Sequence, residues 1–392
     1  MSSFRRRRAL FLPMAMAAAV LSGAGGVLLG ICGAFTDVSD VTFCPFVLEI
    51  FYLGITTGTT PTTYDPTSAV TRLQMAAFLS RTVDGVLKRG SRRAALNKTW
   101  TTEGNAGLAL TTVGVSPEAG ETVAADGQDI WVANFTSNTV ARVQASNGKL
   151  LETWTGATGG FSILSAMGRI FVAGSSPGKL YRIDPSEPAG AVTTVATNLG
   201  SGPRGMTYDG SRIWTSNSGA SVSIVTPGAT APFTVTTVTA GFGSLFGALY
   251  DGANVWVSNG NVPGTFLKLD SAGAILLTVT VGNLPANPVF DGSNIWVPNL
   301  NSSSVSVLRA SNGAVLATLT GNGLQGPVTA AFDGQRILVT NGGNDTVSLW
   351  KAADLTAIGS FNTVAGGAPS GACSDGINFW IALRIPALLA RF

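Results

Sequence analysis

From residue 117 to residue 392 the chain alternates apolar and polar positions in short runs, and each run ends at a turn signal. Residues 121–154 show one unit. Glu121-Thr-Val-Ala-Ala125 reads as an inner strand, and Asp126-Gly-Gln-Asp129 as the hairpin turn that follows it. Ile130-Trp-Val-Ala-Asn134 is a second strand and Thr139-Val-Ala-Arg-Val143 a third. Lys149 to Trp154 is an outer strand, reached through a further hairpin signal at Asn147-Gly148. A period of two places successive side chains on opposite faces, so these alternating runs suit sheets that pack against neighbours.

The unit recurs. Asp-Gly pairs stand at Asp126-Gly127, Asp209-Gly210, Asp251-Gly252, Asp291-Gly292, Asp333-Gly334 and Asp375-Gly376, and Met167-Gly168 fills the one gap. The successive glycine steps are 41, 42, 42, 40, 42 and 42 residues. Seven units of that period, with four short strands each, predict a mainly β fold: a seven-bladed β-propeller over residues 101–392. Large residues follow the same period, as Trp131, Phe171, Trp214, Trp256, Trp296, Leu338 and Trp380. A repeated position serves a repeated contact, so these are read as blade-on-blade packing and not as a stacking platform for substrate. The last unit ends at Phe392 after two or three strands, which leaves an edge to be covered. Leu108-Ala-Leu-Thr-Thr-Val-Gly114 is strand-like and resembles the outer strands Val235–Thr239 and Leu277–Val281. Residues 106–116 are therefore expected to supply the outer strand of the last blade.

The recurring signature is Asp-Gly-x-x-Ile-Trp-Val-x-Asn, then Ser/Asn-x-Val, then Ala-x-x-Gly. It resembles the YncE-like, NHL-like and virginiamycin-lyase-like propellers and covers almost all of residues 117–392. The resemblance implies a fold and no single function, because such propellers serve as enzymes, sensors and scaffolds. The lyases among them use His and acids around a metal. This chain contains no His, so that chemistry does not carry over.

The pattern before residue 101 is different. Arg5-Arg-Arg-Arg8 precedes an apolar run from Ala9 to about Gly30, the layout of a secretory signal over residues 1–34. Cleavage after Ala34 would place Cys32 and Ala34 at the small-residue positions. The run is also long enough to stay in a bilayer as an uncleaved anchor. Leu29-Gly-Ile-Cys32 looks like a lipoprotein box, but Ile31 is too bulky for its place, and Arg7-Arg8-Ala-Leu-Phe11 is a weak twin-arginine match. With Cys32 removed, Cys44 and Cys373 remain, either bonded to each other or as two separate buried residues.

Residues 35–100 read as a small helical module. Pro45 to Leu53 predicts a short, mostly buried helix, stopped by Gly54-Ile-Thr-Thr-Gly58. A second helix starts at Thr71, with Leu73, Ala76, Ala77, Ser80, Val83, Val86 and Leu87 at helical spacing. Thr71-x-x-Gln74 is a capping box. The set Phe35-x-Asp37-Val38, Ile50, Leu53-Gly-Ile55-x-x-Gly58, Tyr64-x-Pro66, Val70-Thr-Arg-Leu-Gln74 and Phe78-Leu79 resembles one unit of the S-layer homology domain. Such domains attach proteins to anionic wall polymers or peptidoglycan through a Thr-Arg-Ala-Glu motif. By that resemblance Thr71 and Arg72 face the polymer, and Gln74 stands in the glutamate's place. Wall-binding proteins often carry three units, so a lone unit implies self-association for avidity. Arg72 is open to two readings: a bidentate ligand contact, or a solvated charge. So is the run Lys88, Arg89, Arg92, Arg93 and Lys98, which either complements a helix end or meets anionic polymer or headgroups.

Composition narrows the function. Gly numbers 49 and charged residues make up 11% of the 392, which suits many tight turns and an uncharged polar surface. Residues 101–392 hold thirteen bases and sixteen acids, so no basic stripe for duplex nucleic acid is expected. No cofactor or metal motif appears, and the absence of His removes the commonest base and metal ligand. Two sets of residues are expected at one mouth of the propeller channel. The first is the Asn after each Trp strand, namely Asn134, Asn217, Asn259, Asn299 and Asn341, serving either its own loop backbone or a ligand. The second lies five residues before each turn: Glu121, Ser162, Arg204, Phe246, Ala286, Val328 and Ser370. Glu121 and Arg204 carry its only charges and with Phe246 form the candidate ligand site. The reading is an exported envelope protein with a non-catalytic binding or scaffold propeller, whose partner is a protein or a small polar ligand. The alternatives are a lyase or hydrolase using acids alone, and a solely structural surface-layer component.

Overall fold

The computed structural model describes residues 32, 35–40, 42–52, 56, 58–60, 62–79, 82, 111–114, 120–176 and 178–392, the side chains of residues 49, 52, 111–114, 120 and 121 excepted. The leader as far as residue 31, Leu53-Gly-Ile55, the helix positions Ser80, Val83, Val86 and Leu87, the run Lys88–Lys98 and residues 106–110 and 115–116 lie outside the described residues. The chain divides into two compact units, Met1–Ser91 and Arg92–Phe392.

The first unit is built on very little apolar surface. Its core is Cys32, Phe35, Val38 and Val47, with Phe51 and Tyr64 against it. Phe35 packs edge-on to Phe51, with ring centroids 5.0 Å apart. The helix Cys44–Tyr52 crosses this core, but Phe46 points outward, so the helix is less buried than its apolar run suggested. Residues 72–79 form a second helix, and Leu73 near its start is 85% exposed. Of the described residues at helical spacing, Leu73 and Ala76 are exposed and Ala77 is half-buried, because the core is filled by the first helix and the chain before it. Two devices hold that chain. Asp37 accepts backbone N–H bonds from Tyr64 at 2.9 Å and from Asp65 at 2.7 Å, tying the loop to the unit's start. The Tyr64 bond leads the effects that hold the Asp37 carboxyl below its usual range. The second device is a disulfide between Cys32 and Cys44, while Cys373 is free. Both expected readings of Cys44, bonded to Cys373 or a separate buried residue, are thereby corrected. The actual partner sits twelve residues away, at a Cα separation of 5.5 Å.

The second unit is a seven-bladed propeller, with 28 strands in seven antiparallel sheets of four. In blade 1 these strands are Gly120–Ala125, Asp129–Asn134, Thr139–Gln144 and Leu150–Thr155. Blades 2 to 6 follow in sequence. Blade 7 takes three strands from the C-terminus and its outer one, Thr111–Gly114, from ahead of blade 1. Thr111 lies opposite Arg391 and Gly114 opposite Leu388, so the two ends of the unit share a sheet. Each junction between neighbouring blades has its own apolar cluster. Trp131 packs on Ile163, Ile170 and Val172 of blade 2. Trp256 packs on Ile295 and Val297 of blade 5, and Trp380 on Ile130 and Val132 of blade 1. Phe171 and Leu338 take the same place in the two remaining kinds of blade. A fully buried Trp removes ~200 Å² from water, which is about 5 kcal/mol at ~25 cal per Å².

The turn aspartates do more than make turns. In blade 1, one carboxylate oxygen of Asp126 accepts the backbone N–H groups of Gln128 and Asp129, and the other accepts the Trp131 indole N–H at 2.8 Å. The same bond joins Asp209 to Trp214, Asp251 to Trp256, Asp291 to Trp296 and Asp375 to Trp380, at 2.7 to 2.8 Å. Gly follows Asp because this position needs a positive φ, which is +98° at Gly127. The indole thus enters the interface with its one polar atom satisfied. In blade 6 Leu338 has no N–H to give, and Arg336 occupies Asp333 instead, with Nε at 2.8 Å. Burial pushes the Asp209 carboxyl up, but the Trp214 indole and the Arg212 and Ser211 N–H groups outweigh it and hold it at about 2.

Candidate functional site

In the first unit the Thr71 hydroxyl accepts the Gln74 N–H at 3.2 Å, and the Gln74 side-chain oxygen accepts the Thr71 N–H at 2.9 Å. This reciprocal pair fixes where the second helix begins. Arg72 follows the cap, is exposed, and has no ion pair among the described residues. The Gln74 amide oxygen makes the same cap that a carboxylate oxygen would make there.

In the propeller the five asparagines are not mouth residues. Asn134, Asn217, Asn259, Asn299 and Asn341 are all buried, so their expected role in ligand contact or in their own loops is corrected. Each stands last on the second strand and donates its amide N–H to hydroxyls of the third strand. Asn217 reaches Ser221 and Ser223, both at 3.0 Å. Asn299 reaches Ser304 and Ser306, and Asn341 reaches Thr346 and Ser348. Asn134 reaches Thr139 and Asn259 reaches Thr265. The Ser/Thr at the start of each third strand is the partner that explains why Asn recurs. Each is a buried cross-strand clasp of about 1 kcal/mol.

The second set does form a ring. In blades 1, 3, 4, 6 and 7 the inner strand begins opposite the last residue of its neighbour, as Pro203 opposite Asn217 and Leu245 opposite Asn259, and then bulges by one or two residues. In blade 2 Gly160 faces Gly174, and in blade 5 the isolated pair of Pro285 and Asn299 holds the same place. The first residue after that pair is Glu121, Phe161, Arg204, Phe246, Ala286, Val328 and Ser370 in blades 1 to 7. Blade 2 corrects the expected Ser162. Its turn has two residues, with Ala166 opposite Arg169, where blade 1 has four between Ala125 and Ile130. Counting back five residues from the turn therefore stops one residue short, at Ser162. The strand partner Gly174, not the turn, gives the true position, Phe161. The Glu121 side chain lies outside the described residues, but its backbone holds the ring position.

Phe161, Arg204 and Phe246 belong to three successive blades. The Arg204 guanidinium carbon lies 4.9 Å from the Phe246 ring centroid and 6.0 Å from that of Phe161. Phe135, from the loop after the second strand of blade 1, meets Phe161 edge-on at 6.1 Å and is 37% exposed. Hydroxyls from neighbouring blades pin this ring. Thr122 donates to the Phe161 carbonyl at 2.7 Å, and Ser216 donates to the Phe246 carbonyl at 2.7 Å while accepting the Gly205 N–H at 3.1 Å. Gly205 is required by that approach, since a Cβ there would stand 2.6 Å from the Ala248 nitrogen. The ring can therefore offer a fixed guanidinium between two aromatic rings. Among the described residues, no three potential metal ligands converge.

Comparison with known proteins locates both units. Residues 34–76 match the S-layer homology domain family. No curated protein matches the chain in sequence. Among solved structures, a virginiamycin B lyase from Staphylococcus aureus is similar over 72% of this chain and 98% of its own, at 13% identity and a TM-score of 0.62. A streptogramin B lyase is similar at 15% identity and 0.61, covering 72% of this chain and 96% of its own. The WD40 β-propeller domain of Doa1 is similar at 10% identity and 0.60, covering 72% and 95%. These likenesses show the propeller fold. The homology domain indicates association with the cell surface or envelope.

Proposed function

We propose that this chain is exported, held to cell-wall polysaccharide or peptidoglycan through its S-layer homology domain, and displays its propeller as a binding module. The observation that carries the reading is the capping box of Thr71 and Gln74, which presents Arg72 exposed and without an acid partner among the described residues. A guanidinium so placed suits the carboxylates and phosphates of wall polymers. A lone weak contact gains from multiplicity, and Phe43, Phe46, Leu73 and Leu79, each at least 60% exposed, support self-association of this unit. The similar proteins named as lyases share too little identity to carry their activity here, and the chain has no His to serve as base or ligand.

Sedimentation with isolated bacterial walls tests the anchor. Arg72→Ala in the full chain should reduce the wall-bound fraction several-fold, and Gln74→Glu should preserve or raise it, because a Glu oxygen can make the same cap and Arg72 is untouched. Wall binding undiminished by Arg72→Ala would remove the assignment.

A further inference from the structure

We propose that the channel ring over blades 2, 3 and 4 binds a small organic oxyanion, a carboxylate or phosphate carried on an apolar or ring-shaped group. Arg204 is the anion contact, and Phe161 and Phe246 flank it. This rests on reading the propeller as a binding module, and it names the class of ligand.

The first ground is the state of the charge. Arg142, Arg169, Arg212 and Arg336 each pair with a carboxylate at 2.7 to 2.9 Å, whereas Arg182, Arg204, Arg309 and Arg391 have no ion pair among the described residues, and of these Arg204 alone stands at the ring. Arg204 is half-buried and has neither an ion pair nor a hydrogen bond among the described residues. Its neighbours are ring faces, and among the described residues nothing accepts from its N–H donors. A planar fork of donors matches the two oxygens of a carboxylate or phosphate.

The second ground is that the fold does not ask for these residues. The equivalent ring positions in blades 5, 6 and 7 are Ala286, Val328 and Ser370, and those blades close equally well. Phe, Arg and Phe in three consecutive blades are a departure from the repeat, confined to one arc. The third ground is fixed geometry. The carbonyls of Phe161 and Phe246 are held by the Thr122 and Ser216 hydroxyls, so the two aromatic residues are rooted in clamped backbone. Phe135 extends the apolar surface outward from Phe161, which favours an oxyanion with an apolar substituent over a bare inorganic ion.

The test titrates the full chain with benzoate, phenyl phosphate and the neutral benzamide, by calorimetry and ligand-observed NMR. Benzoate or phenyl phosphate should bind saturably, at least tenfold tighter than benzamide, and the tighter of the two identifies carboxylate or phosphate as the source. Arg204→Gln should lose at least tenfold for both anions, and Arg204→Lys should lose less, with melting temperatures near that of the wild type. Phe246→Leu should weaken the anions and benzamide alike. Unchanged anion affinity in folded Arg204→Gln overturns the inference. If benzamide equals benzoate, and Phe246→Leu weakens both, the mouth is a binding site but the oxyanion assignment fails. No saturable binding of any probe overturns the oxyanion inference and counts against the mouth as a ligand site. Wall retention of Arg204→Gln, measured in parallel, should stay at the wild-type level in every case.

Discussion

The turn end of each blade and the channel ring lie about five residues apart on the same inner strand, and their residues repeat to different degrees. At the turn end, five blades carry the same Asp carboxylate on the same Trp indole, within 0.1 Å of one another in length. At the ring, the seven residues are Glu, Phe, Arg, Phe, Ala, Val and Ser. The turn end serves a contact that every junction between blades must make, so its chemistry repeats. At the ring the backbone carbonyls make the repeated contacts between blades, as at Phe161, Phe246, Ala286 and Ser370, so the side chains of Phe161, Arg204 and Phe246 are freer to vary. In a repeat protein, uniform positions report on packing, and departures from uniformity report on function.

That contrast can be broken in order of expected effect. Deleting residues 106–116 removes Thr111–Gly114 and leaves the Leu388–Arg391 strand as an open edge. The melting temperature should fall by roughly 10 °C or more, several kcal/mol for a domain of this size, read by differential scanning calorimetry. An unchanged transition would mean that closure contributes nothing. Next, Trp256→Ala should destabilise the propeller by about 3–5 kcal/mol in urea unfolding, since it empties the junction between blades 4 and 5.

Trp214→Phe is subtler and has a pH signature. It removes one donor from Asp209, whose carboxyl is held at about 2 against a usual 3.8. A depressed carboxyl contributes stability that is fully present above the usual value and is lost as pH falls through the lowered one. The variant should therefore lose about 1–3 kcal/mol near neutral pH and begin acid unfolding at a higher pH than the wild type. An identical acid limb would show that the indole bond does not hold the carboxyl down. Smallest of all, Arg204→Gln should change stability by less than ~0.5 kcal/mol, because the repeated contacts at the ring are made by backbone and not by this side chain. A loss comparable to that of Trp256→Ala would erase the distinction between the two ends.

Much of this was legible in the sequence, and the misses share a cause. The period of Asp-Gly pairs gives seven blades because turns and junctions recur together. The Asp–Trp bond was equally visible as a fixed five-residue interval, but a turn reading of Asp-Gly already accounted for the Asp. The asparagines looked like loop residues because they end their strands, and only the Ser/Thr facing them shows that they are buried. Phe161 was hidden by the shorter Met167-Gly168 turn, which moves the register by one. The packing of Cys32 with Phe35, Val38 and Val47 was not visible either, because no apolar period links residues so close to the leader's apolar run. In a unit with so small a core, one disulfide and one clamped carboxylate carry what apolar periodicity carries in the propeller.

The central claim is a division of labour, with attachment in the first unit and ligand display in the second. Wall sedimentation of the full chain beside residues 101–392 alone tests it most directly. The account predicts that the full chain sediments with walls and the propeller stays in the supernatant. Equal sedimentation of residues 101–392 would contradict it.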